Sequence, residues 1–137
     1  MSDRAEFRDI ELPVGTDIVV AVIDAARAVE EIDEEEANEE GQDPETPEDL
    51  DPDGLRAALA GLIDELNVDE QAGLIALAWT GRGDHDAMEW EATLALARER
   101  NTGRSAADYL MGMEQLGDLL SEGLASFGIV AEEVPRD

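Results

Sequence analysis

Apolar residues recur along this chain at intervals of three and four, the spacing of helices that each hide one face. Ile18, Val19, Val22, Ile23, Ala26 and Val29 form the first such stripe. Gly15-Thr16 precedes it, so Thr16 reads as the N-cap, and Asp17 places a negative charge at the positive end of the helix dipole. Several of these residues are β-branched, which leaves a strand over Ile18–Ile23 as the alternative. The stripe's length and its Ala-rich continuation through Ala28 favour the helix.

After residue 50 the helical signals come in quick succession. Asp51 caps a helix whose first position is Pro52 and whose buried face is Leu55, Leu59, Leu62, Ile63 and Leu66. Asn67 ends that helix and, with Glu70 three residues on, opens the next through a capping box. Leu74, Ile75, Leu77, Ala78 and Trp79 line the third helix, and Gly81-Arg82-Gly83 stops it. A fourth starts at Asp86 and presents Ala87, Trp90, Leu94 and Ala97, closing at Asn101-Thr102-Gly103. Ser105 caps a short fifth segment through Ala107, Tyr109 and Leu110, interrupted near Gly112. The last helix carries Leu116, Leu119, Leu120, Leu124 and Phe127, with Gly128 as its stop. The pattern predicts an all-α protein, a compact helical bundle of about five to six helices.

Charge divides the chain further. The net charge is −27, and residues 30–53 hold 14 Asp or Glu without one basic residue. Glu30 to Glu36 could prolong the first helix, but like charges at i,i+4 oppose it, and Gly41, Pro44 and Pro47 interrupt regular structure. The expected organisation is a tail over 1–15, a helix over 16–32 and an acidic flexible linker over 33–50. A bundle over 51–128 and a tail over 129–137 complete it. All nine basic residues are Arg, and solvation of the surface accounts for the acidity without a mechanism. Direct binding of nucleic acid is not expected, since phosphates need clustered cations, and an anionic membrane would repel this surface.

Composition also removes chemistry. Without cysteine there are no disulfides, thiolate metal sites or cysteine nucleophiles. The start, Met1-Ser2-Asp3-Arg4-Ala5-Glu6, lacks a signal peptide's basic and apolar regions, and no apolar run approaches the roughly 20 residues that span a bilayer. A cytoplasmic, bacterial protein is expected. Asp49-Leu50-Asp51-Pro52-Asp53-Gly54 resembles the opening of a calcium loop, but its twelfth position is Ala60, not the bidentate Glu. Asp84, His85 and Asp86 are metal-ligand types and the weak candidates for a metal or acid–base site. Adjacent residues rarely aim at one ion, and Asp86 is needed as a cap. Arg82-Gly83-Asp84 spells an adhesion tripeptide, better explained by a helix C-cap. Trp79 and Trp90 both fall at core-facing positions. No nucleophile elbow, phosphate-cradling loop or Glu-x-x-His element is present, so no catalytic residue and no cofactor is expected.

Leu66-Asn67-Val68-Asp69-Glu70-Gln71 continues to Ala76-Leu77-Ala78-Trp79-Thr80-Gly81-Arg82-Gly83-Asp84, and Tyr109-Leu110-Met111-Gly112 is followed by Leu116, Asp118, Leu120 and Glu122-Gly123-Leu124. Together these resemble a family of small bacterial proteins catalogued as a domain of unknown function, over about residues 55–128. Such sequences often carry an aromatic residue near the position of Leu120. The resemblance implies no catalytic or binding residues.

The leading functional expectation is therefore a non-enzymatic protein-interaction module that binds a protein partner or forms a homo-oligomer. A nucleic-acid mimic whose carboxylates fill a basic partner's groove is one alternative. A metal-dependent enzyme using Asp84, His85 and Asp86 is the other.

Overall fold

The structure, a computed structural model, describes residues 12–38, 52–101 and 105–134. Among them are six α-helices and no strand: α1 (Thr16–Asn38), α2 (Pro52–Asp64), α3 (Val68–Arg82), α4 (Trp90–Arg100), α5 (Ala106–Met111) and α6 (Leu116–Ala125). Short 3₁₀ turns at Ala87–Glu89 and Ala131–Glu133 precede α4 and follow α6. The all-α bundle expected from the apolar spacing is what forms.

Helix α3 lies at the centre. Every residue from Ala72 to Ala78 is buried, which no one-sided helix could be, because α4, α5 and α6 all pack on it. Its start is set as the sequence predicts: Asn67 Oδ1 accepts from the Glu70 amide at 2.8 Å, and the Asn67 amide donates to Glu70 Oε1 at 2.9 Å. Thr80, buried near its other end, donates its hydroxyl proton to the Ala76 carbonyl. The helix stops at Gly83, whose φ of 94° suits glycine, with the Asp84 amide reaching back to the Trp79 carbonyl.

Gly81 has a different task from the capping role read for it. A Cβ there would run into the Leu119 carbonyl oxygen of α6, and one on Gly123 would meet the Leu77 carbonyl. The two glycines let the α3 and α6 backbones touch, so the seam between them is closed by main chain rather than side chain.

Helix α1 packs on α6 and α2 as part of the same core. Val19, Val20, Val22, Ile23 and Ala26 are buried, and so is Ile32, an apolar residue inside the acidic run. That added contact accompanies a helix running to Asn38, beyond the residue 32 boundary and into the range read as linker. The Gly15 carbonyl accepts from the Ile18 and Val19 amides, which puts the cap one residue before Thr16. Residues 39–51, with most of the acidic linker and the start of the calcium-loop match, lie outside the described residues. Val14 and Ala131, read as tail positions, are both buried, and Arg27 ties α1 to Asp118 of α6 at 3.0 Å and to Glu132 beyond it at 3.7 Å.

Helix α4 begins at Trp90, not Asp86. Asp86 instead caps the 3₁₀ turn, accepting from the Met88 amide at 3.2 Å. Trp90 is 2% exposed and meets Phe127 edge-on at 5.2 Å between ring centroids. Helix α5 has the expected Ser105 cap, accepting from the Asp108 amide at 3.1 Å.

Helix α6 starts abruptly at Gln115, a non-glycine residue with φ of 60° and no side-chain cap bond. The Glu30 carboxyl of α1 faces the Leu116 and Gly117 amides at this start, an acidic group near the positive end of α6.

Candidate functional site

The sequence candidates Asp84, His85 and Asp86 sit together on the loop between α3 and α4, and their side chains go to separate tasks. Asp84 Oδ2 accepts from Arg82 Nε at 2.9 Å and from Arg82 Nη2 at 2.7 Å. Asp86 caps the following turn. The His85 ring packs against the Trp79 indole, with centroids 5.7 Å apart. Among the described residues, no group of three or more His, Asp or Glu side chains is placed to hold a metal ion.

The more organised chemistry lies on the other side of His85. Trp79, read as core, is only half-buried, and it forms the floor of an open groove of about 470 Å³ between the end of α3, α4 and α5. Three helices bring its parts together. Trp79 projects from the last turn of α3, Leu96 and Arg100 from the second half of α4, and Tyr109 from α5. Trp79 Nε1 donates to the Tyr109 hydroxyl at 2.9 Å, a bond between residues 30 apart in sequence. The Arg100 guanidinium lies over the Tyr109 ring, 4.2 Å from its centroid, in cation–π contact.

The Tyr109 hydroxyl is unusually rich in donors. Burial pushes its pKa up, but the Trp79 hydrogen bond, the nearby Arg100 and Arg82 donors and the Arg100 charge outweigh it, so the net displacement is downward. The same environment acts on Arg82. Its hydrogen bond to Asp84 raises its pKa first, desolvation opposes this, and the Asp84 charge and Tyr109 add to the rise.

Arg100 differs from the other described arginines. Arg27, Arg56, Arg82 and Arg98 each have a carboxylate within ion-pair distance. Among the described residues none lies that close to Arg100, in a chain where acidic residues outnumber basic ones 36 to nine. Two carboxylates do border the groove. Asp84 is held by Arg82, and Glu99 has an interaction of its own.

Sequence reasoning missed this groove because its members are scattered over three helices. The one available signal was chemical: a tyrosine and an arginine at the ends of neighbouring helices, in a chain with one tyrosine and two tryptophans.

A second cavity of about 670 Å³ lies between α1, α2 and the α5–α6 connection, walled by Val29, Leu59, Met111 and Met113, with Glu30 and Arg56 at its border. Burial pushes the Glu30 carboxyl up. The Gly117 amide opposes this, the Asp118 charge adds to it, and the Leu116 amide and Arg27 charge oppose it, leaving the value above its ordinary 4.5.

No helix among the described residues is long and apolar enough to cross a membrane. No curated protein and no solved structure matches the chain. A family model does, over residues 56–129, from within α2 to beyond the end of α6, the groove included. The resemblance to a family of unknown function over about residues 55–128 holds, and the chain belongs to the family described as "Protein of unknown function (DUF3775)".

Proposed function

We propose that the protein is a non-enzymatic interaction module that binds a protein partner through the groove formed by Trp79, Leu96, Arg100 and Tyr109. One observation carries this reading. A half-exposed tryptophan, a tyrosine and an arginine, the residue types that dominate binding energy at interfaces, are fixed against one another on the surface of a bundle whose other tryptophan is buried. Leu96, 46% exposed, extends the apolar surface at the rim. The Trp79–Tyr109 bond and the Arg100 stack hold these side chains in place before any partner arrives, which lowers the ordering cost of binding.

The test is photo-crosslinking in the native cell, with the reactive residue placed at Leu96 and, as control, at Val130, which is equally exposed but beyond α6. A discrete protein adduct at position 96 that is absent at position 130 supports the reading. An adduct of two copies of the chain identifies the partner as the protein itself. The same weak smear at both positions, or none, overturns it.

A further inference from the structure

The geometry points to a carboxylate, flanked by an apolar group, as the feature this groove recognises on its partner; this rests on reading the groove as the contact surface. The groove has donors in excess. Tyr109 oxygen is the acceptor for Trp79 Nε1, and the Arg100 and Arg82 side chains line the same groove. Arg100 has five N–H donors and no acceptor of its own. With Arg100 Cζ over the Tyr109 ring and no carboxylate among the described residues within ion-pair distance, the guanidinium keeps N–H donors for an oxygen pair, as where arginine binds carboxylate through two parallel hydrogen bonds. An incoming carboxylate would also accept the Tyr109 hydroxyl proton, since the hydroxyl oxygen itself serves as the acceptor for Trp79 Nε1. Beside these groups, Trp79 and Leu96 offer the apolar surface for the neighbouring part of the ligand.

The charge of the chain selects among oxyanions. A net charge of −27 repels any anion on approach, and repulsion grows with ligand charge, so a single carboxylate is favoured over a doubly charged phosphate. Asp84 and Glu99 at the border act in the same direction. The contact is thus short-ranged, made by hydrogen bonds after encounter rather than by attraction from a distance.

Titration of the full-length protein with short peptides, followed through the Trp79 indole N–H resonance, tests this. The probes are acetyl-Ala-Ala-Leu with a free carboxylate, the same peptide amidated, amidated acetyl-Ala-Glu-Leu, and inorganic phosphate. The buried Trp90 indole serves as internal reference. Saturable movement of the Trp79 signal with a carboxylate peptide, at least tenfold weaker with the fully amidated one, is expected. Which carboxylate peptide binds tells a chain terminus from an acidic side chain. Arg100→Met should weaken binding at least tenfold, whereas Arg98→Met, removing a guanidinium paired with Asp69, should not. Should Arg100→Met fail to fold, Tyr109→Phe supplies the second variant, with a loss of threefold or more.

Equal binding of the amidated peptide, preferred binding of phosphate, or full binding by Arg100→Met would overturn the carboxylate assignment. A position 96 crosslink obtained alongside any of these results would leave the interaction reading standing. Loss of both crosslink and titration would remove the two together.

Discussion

The chain has two tryptophans, and the fold uses them in opposite ways. Trp90 is 2% exposed at the start of α4, edge-on to Phe127, and its Nε1 has no hydrogen-bond partner among the described residues. Trp79 is half-buried at the end of α3, and its Nε1 is bonded to Tyr109 in a groove that also holds Arg100. An indole contributes a large apolar body and one polar atom. At Trp90 the fold takes the body, and no described residue meets the polar atom; at Trp79 it uses both. Packing alone explains the first ring. It does not explain why the second is left partly in water with its N–H held in place.

The largest expected effect is therefore at Trp90. Trp90→Ala should cost about 3–5 kcal/mol, a large part of the stability of an ordinary domain, read by urea unfolding followed by circular dichroism. Trp79→Ala should cost less than half as much while removing the position 96 crosslink. Equal losses would collapse the distinction between the rings.

The core side of the comparison rests on the α3–α6 seam. Gly123→Ala drives a methyl into the Leu77 backbone, which cannot swing aside as a side chain does, and should destabilise by about 1–3 kcal/mol or more. Gly61 in α2, with nothing within 4 Å of an added Cβ, is the control. Gly61→Ala should stabilise by about 0.5–1 kcal/mol through helix propensity.

The groove side is sharpened by Tyr109, the chain's one tyrosine, so that absorbance titration of the phenol reports on it alone. Its midpoint should fall below the usual value of about 10 in the native protein and return there in denaturant. Trp79→Phe, which deletes a hydrogen bond of about 0.5–1.5 kcal/mol, should move it upward, as should Arg100→Gln. Folding favours the ionised phenol. The stability this adds is full above the unfolded value and is lost as pH falls through the folded one. A native midpoint at or above the denatured one would show that burial, not the donors, governs the group.

Several local interactions were readable from the sequence because one segment contains the whole of each, although the cap read at Thr16 falls on Gly15. The Asn67–Glu70 capping box, the Ser105 cap and the Gly83 stop are such cases, since each is contained within six residues or fewer. What could not be read depends on the angle and distance between helices. Gly81 and Gly83 look alike in the sequence, yet one ends α3 and the other admits the α6 backbone. Trp79 fits the apolar period of α3, and only the positions of α4 and α5 decide that it lines a groove instead of being covered. The candidates on the Asp84–Asp86 loop drew attention because they are adjacent, whereas Trp79, Arg100 and Tyr109 meet only on folding.

Glu30 gives the smallest effect and carries the comparison to a second polar group. Like Tyr109 it faces donors that favour its anion, here the Gly117 and Leu116 amides, but burial and the Asp118 charge win and its pKa is raised above 4.5. Folding thus favours protonated Glu30. The stability so gained is complete below the unfolded value and is lost as pH rises through the folded one. Other carboxylates titrate nearby, so the quantity to measure is the stability of the wild type minus that of Glu30→Gln, by urea unfolding at steps from pH 4 to 7. The difference should fall as pH rises. Its span should stay well under about 1 kcal/mol, because solvent screens a side chain that is not deeply buried. A difference that rises with pH would mean that the helix amides outweigh burial at Glu30. The start of α6 would then resemble the Tyr109 hydroxyl, a point where donors prevail, and the contrast between the two polar groups would disappear.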